Sequence, residues 1–165
     1  MTTTKTPSAG LSTTLAELPG HAGEHLGSTA WRTVTQDQVD AFADLTEDHN
    51  PIHVDPDFAR STPFRRCIAH GLLGLSVASG LAATTPPART AAFLGIREWH
   101  FRAPVYAGDE IRVLTRVVGK RPRGRGRRGE VEWHVRVVNQ HGRVVQEGVT
   151  ATLVESAALA RPAAA

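Results

Sequence analysis

GLLGLSVASGLAA, residues 71–83, carries Leu72, Leu73, Leu75, Val77 and Leu81 in many directions around a helix, with Gly74, Ser76, Ala78, Ser79 and Gly80 between them. A helix that is apolar nearly all round is expected to be buried, and its small residues let other backbones come close. Thr84-Thr85-Pro86-Pro87 ends it. Downstream the apolar period drops to two. Ala92–Phe101, Glu110–Val118, Glu130–Val138 and Val144–Val154 read as strands, the third with Val131, Trp133, Val135 and Val137 set against Glu130, Glu132, His134 and Arg136. Ala107-Gly108-Asp109 and Asn139-Gln140-His141-Gly142 supply turns.

Upstream, Ser28–Val34 is a plausible first strand. Thr35 then opens a helix, with Gln38 completing a capping box. Its apolar stripe is Val39, Phe42, Ala43 and Leu45. Asn50-Pro51 blocks any continuation, because proline disfavours the helical region for the residue before it. One strand, a short helical region, one buried helix and four consecutive strands make an α+β domain, an antiparallel sheet curling around a central helix.

That domain spans roughly residues 24–155 of a 165-residue chain. Residues 1–22 lack an apolar period and read as a flexible leader, as does the tail from 156 to 165. With 41% hydrophobic and 21% charged residues, a real core is expected and wholesale disorder is not. No apolar run is long enough for a membrane span, and MTTTKTPSAG lacks the apolar region of a secretory signal, so a cytoplasmic protein is expected. The single cysteine, Cys67, excludes an internal disulfide framework and a multi-cysteine metal site.

The net charge of +3 is a local matter. Lys120, Arg121, Arg123, Arg125, Arg127 and Arg128 carry six positive charges within nine residues, and without them the chain would stand at −3. Nucleic-acid binding is therefore not expected, all the more with few aromatic side chains for stacking. Proline and glycines in KRPRGRGRR are expected to end the strand there and leave a mobile loop. The bland reading is a solvated hairpin tip. The functional one is that Arg123, Arg125, Arg127 and Arg128 meet the phosphates of a nucleotide-bearing substrate, or an acidic carrier protein.

Chemistry concentrates in Asp48-His49-Asn50-Pro51-Ile52-His53. His49 and His53 have the i, i+4 spacing of a helical metal pair, but Pro51 breaks the helix that would align them. The acid–base reading is better: Asp48 and His53 flank a proline-stiffened turn and can converge on one water. A structural reading, with Asp48 capping a turn and His53 on the surface, stands beside it. His70-Gly71 opens the apolar helix, where the first N–H groups lack internal partners and carry the positive end of the dipole. Glycine there lets a ligand oxygen approach, which would make an oxyanion site. The structural alternative is a tight helix start against the sheet.

Taken together, FADLTEDHNPIHVDPDFARSTPF, IAHGLLGLSVASGL and FRAPVYAGDEI resemble the MaoC-like dehydratase family, hot-dog-fold proteins that include (R)-specific enoyl-CoA hydratases, and their NodN-like branch. The resemblance covers roughly residues 35–155. It implies that Asp48 and His53 hold a catalytic water, that Asn50 is a supporting polar residue, and that the Gly71 N–H takes the thioester carbonyl oxygen. It also places Ser79 and His70 as supporting groups near the pair. The implied activity is hydro-lyase chemistry on a 2-enoyl or 3-hydroxyacyl thioester of coenzyme A or acyl carrier protein, with (3R) stereochemistry, no cofactor and no metal. The implied assembly is a homodimer. A hot-dog thioesterase and a non-catalytic acyl-thioester binding protein are the competing classes.

Overall fold

The computed structural model describes residues 15, 18, 27–84, 88–124 and 127–155. Two short strands, β1 (Gly27–Ser28) and β2 (Arg32–Thr33), stand where one was expected. Helix α1 (Gln36–Thr46) follows, with the expected capping box: Gln38 N–H donates to Thr35 Oγ1 at 3.3 Å and Thr35 N–H to Gln38 Oε1 at 3.1 Å. Val39 and Ala43 are buried, whereas Leu45 is exposed and does not join the stripe. Pro51 starts a helix as well as preventing one. It is the first residue of α2 (Pro51–Val54), with Asn50 as its cap, and Pro56 opens α3 (Pro56–Ser61) in the same way.

Helix α4 (Gly71–Thr84) and the strands β3 (Thr90–Phe101), β4 (Glu110–Arg123), β5 (Arg128–Asn139) and β6 (Val144–Glu155) complete the domain. The sheet is antiparallel in the order β1-β4-β5-β6-β3, with β2 also on β4. This is the α+β hot-dog arrangement, a sheet wrapped around α4. Its core lies on the concave face, where Ile111, Val113, Val117, Val131, Trp133, Val137 and Val154 pack with Leu73 and Ala78 of α4.

The structure corrects three expectations. KRPRGRGRR does not end the strand: β4 runs to Arg123 and β5 begins at Arg128, with Pro122 opposite Gly129. The outer flank of β4 pairs β1 only at Leu114 and Thr115, so proline there costs no ladder bond on that side. Arg123 is bonded to the buried Glu130, which Arg97 also holds at 2.6 Å, so it is not a free cation. Arg127 lies in the turn and Arg128 on β5, while Arg125 lies outside the described residues. Second, the two described residues of the expected leader, Leu15 and Leu18, are buried, and Lys120 Nζ donates to the Leu18 carbonyl at 2.7 Å; the other leader residues and the tail from 156 to 165 lie outside the described residues. Third, α4 is not covered all round. Leu73, Gly74 and Ala78 are buried, but Leu72 is 60% exposed and Ser76 and Ser79 are exposed as well.

Candidate active site

The turn after α1 delivers Asp48. Glu47 leaves the helix in the left-handed conformation, and the Asn50 N–H donates to Asp48 Oδ1 at 3.4 Å. Asn50 caps α2, its side-chain oxygen accepting from Ile52 N–H at 3.2 Å. It therefore supports the turn. His53, on the single turn of α2, has its Nδ1 2.6 Å from the Ile68 carbonyl. A carbonyl can only accept, so Nδ1 carries the proton and Nε2 is left with its lone pair.

His70 completes the cluster. It is buried, its Nε2 lies 2.9 Å from the Asp48 carbonyl, and its ring stacks on His53 with centroids 3.8 Å apart. Phe42 of α1 closes the other side, 5.1 Å from the His70 ring. The ionisable atoms of Asp48, His53 and His70 all lie within 4.8 Å of one another. The two imidazoles lie 30° apart, and His53 Nδ1 and His70 Nε2 each donate to a backbone carbonyl, so neither of those nitrogens offers a lone pair. His49 stands apart, exposed and 3.8 Å from Asp44.

Burial is the main cause that lowers the His53 pKa below its ordinary 6.5; the proximity of His70 adds to it, and the Ile68 carbonyl and Asp48 oppose it. His53 is thus neutral, and able to accept a proton, at neutral pH. Two consequences share one sign. Catalysis that needs neutral His53 should keep its plateau below pH 6.5, with the acid limb of kcat/KM displaced downward from an ordinary histidine's. Stability should begin to fall as pH drops through 6.5, where the unfolded chain takes up a proton that folded His53 still refuses. A pH–rate profile whose acid limb sits at or above 6.5 would contradict this.

Gly71 begins α4 directly after His70, so the helix's positive end opens beside the pair. The Phe101 ring lies against it, 2.8 Å from where a Cβ would stand. Ser79 is two turns further along α4, about 12 Å from Gly71 at 1.5 Å per residue, and does not reach the pair within its own chain. It lines a cavity of about 690 Å³ between α4 and the concave face, together with Ala78, Ala82, Trp99, Trp133 and Thr152.

Gln146 is a site residue that the sequence reading missed. It bridges Gly71 and Trp99 by hydrogen bonds of 3.1 and 3.2 Å. The available signal was polarity at inward positions of β6, where Gln146, Thr150 and Thr152 stand in place of apolar residues.

Among the described residues no helix is long and apolar enough to cross a membrane. The sequence matches the MaoC like domain family over residues 17–139. It is 38% identical over 115 residues to the 3-hydroxyacyl-thioester dehydratase Z of Mycobacterium tuberculosis, covering 68% of this chain and 76% of that one. With the (R)-specific enoyl-CoA hydratase of Aeromonas caviae it shares 43% over 84 residues, 51% of this chain and 62% of the relative. The crystal structure of a MaoC-like dehydratase from Rhodospirillum rubrum superposes with a TM-score of 0.77 at 25% identity, over 90% of this chain and all of that one. Sheet, central helix and sequence agree, and the chain belongs to the MaoC-like domain family.

Proposed function

We propose that the protein is a hydro-lyase that adds water to a 2-enoyl thioester, or removes it from the 3-hydroxyacyl thioester, with (3R) stereochemistry. The observation that carries this reading is the Asp48–His53 pair set beside the opening turn of α4. A water held between Asp48 and His53 gives up a proton to the pair as its oxygen bonds to C3. The C2=C3 electron pair moves toward C1, and the thioester oxygen becomes an enolate oxygen. The Gly71 N–H and the helix dipole stabilise that charge where it develops. The enolate then collapses and C2 takes the proton back, so one water is added and nothing else is consumed. His70 holds the Asp48 backbone and backs the His53 ring, fixing the geometry of the pair.

The 690 Å³ cavity accepts the acyl chain. Pockets of about 300–1,000 Å³ hold drug-sized ligands, so the cavity has room for an acyl chain longer than four carbons. Incubation with crotonyl-CoA and 2-octenoyl-CoA, following enoyl absorbance and free thiol together, tests the reading. Loss of absorbance without thiol, faster for octenoyl, is the expected result. Thiol release would make the protein a thioesterase, and no change with either substrate would leave a binding protein.

A second copy of the chain belongs to this reading. Strand β3 is a sheet edge bearing exposed Phe93, Leu94 and Ile96, and α4 leaves Leu72 uncovered. Pairing two such edges buries them. Wild-type protein should sediment as a dimer, and Leu94→Lys with Ile96→Lys as a monomer. A wild-type monomer at every concentration would contradict the proposed assembly.

A further inference from the structure

Gln146 occupies a concave-face position on β6 and is 2% exposed. An amide so placed needs both its donor and its acceptor met. Its Nε2 donates to the Gly71 carbonyl at 3.1 Å, and its Oε1 accepts from Trp99 Nε1 at 3.2 Å. Phe101, its register partner on β3, lays its ring against Gly71. One turn along, Gly74 is bare, and a Cβ there would collide with the Gln146 amide. The first turn of α4 is held by one amide and one ring.

Trp99 also sets which way the amide faces. An indole N–H only donates, so it selects the amide oxygen and turns the NH₂ toward Gly71. A flipped amide would oppose oxygen to carbonyl and NH₂ to N–H. The Gly71 carbonyl shares its peptide with the Leu72 N–H, adjacent to the Gly71 N–H. A bond to that carbonyl fixes the tilt of these donors and polarises the peptide that carries one of them.

We propose that Gln146, oriented by Trp99, is a positioning residue for the oxyanion donors at the start of α4; the inference rests on the hydro-lyase reading above. Gln146→Met keeps side-chain length and removes both hydrogen bonds. Its kcat should fall about 10- to 100-fold, as misplaced reacting groups do, with KM little changed. Trp99→Phe leaves the glutamine but frees its orientation, and should reproduce part of that loss. Gln146→Glu can still accept from Trp99 but cannot donate to Gly71 until protonated, so its kcat relative to wild type should rise as pH falls. Each variant is assayed well below its own unfolding midpoint. Wild-type kcat in Gln146→Met, or a pH-independent ratio in Gln146→Glu, overturns the proposal. The backbone amide signals of Gly71 and Leu72 give a readout that needs no reaction: both should shift in Gln146→Met and in Trp99→Phe. If the wild-type protein hydrates no enoyl thioester, the functional reading falls. The amide shifts then decide this inference alone, moved signals supporting the relay and unmoved ones overturning it.

Discussion

Asp48→Asn and His53→Ala should each lower kcat for enoyl-thioester hydration by about 10²–10⁴-fold while leaving the unfolding midpoint close to wild type. The Asp48 side chain is 56% exposed, so replacing its carboxylate by an amide costs the fold little. Its neighbour Asn50 keeps the cap of α2 in either variant. His53 is half-buried and stacked on His70, so His53→Ala loses some packing, but α2 is a surface turn and not part of the core. On the proposed mechanism the two groups hold one water, so the double variant should be barely slower than either single one. Steady-state hydration of 2-octenoyl-CoA measures this. Additive losses would mean that the residues act at different points, and near-wild-type turnover in either single variant would remove the pair from the reaction.

Gly148→Ala should be the most damaging small substitution to stability. Gly148 lies on β6 opposite Trp99 of β3 and Val135 of β5. A Cβ there would run into the Glu98 carbonyl oxygen and meet Trp99 Cα at 2.9 Å. These are backbone atoms of a paired strand, so relief requires the β3–β6 ladder to open. Overpacking of this kind costs typically about 1–3 kcal/mol and at times more, and the upper end corresponds to a fall of about 6–12 °C in Tm for a domain of this size. Thermal unfolding by circular dichroism checks it. Gly80→Ala, where a Cβ meets nothing within 4 Å, is the control and should leave Tm unchanged or slightly raised. Equal midpoints for the two variants would show that the ladder absorbs the methyl group.

Much of this was legible in the sequence because it is local. The capping box at Thr35 and Gln38, the alternation in β5 and the polar cluster at Asp48–His53 each depend on residues a few places apart. What was illegible depends on partners far along the chain. Arg123 continues a strand because Glu130 and the β5 register hold it, not because its own neighbours favour extension. Leu15 is buried because it packs where Gly129 has no side chain. The apolar pattern of α4 announces burial on every side, while one chain covers only part of it. Gln146 was invisible for the same reason: its role is defined by Gly71, which is 75 residues away in the chain.

The sheet order has a temporal side. Among the described residues β3 pairs only with β6, although β4 and β5 are synthesised between them. At about 5–20 residues per second, translation delivers the end of β6 roughly 3–11 s after the end of β3. Through that interval a segment bearing Phe93, Leu94, Ile96 and Phe101 lacks the strand it pairs with. Such a segment invites association with other nascent or unfolded chains. Recovery of native protein during synthesis should therefore depend on a chaperone that shields β3 until β6 emerges, more than the stability of the finished domain would suggest.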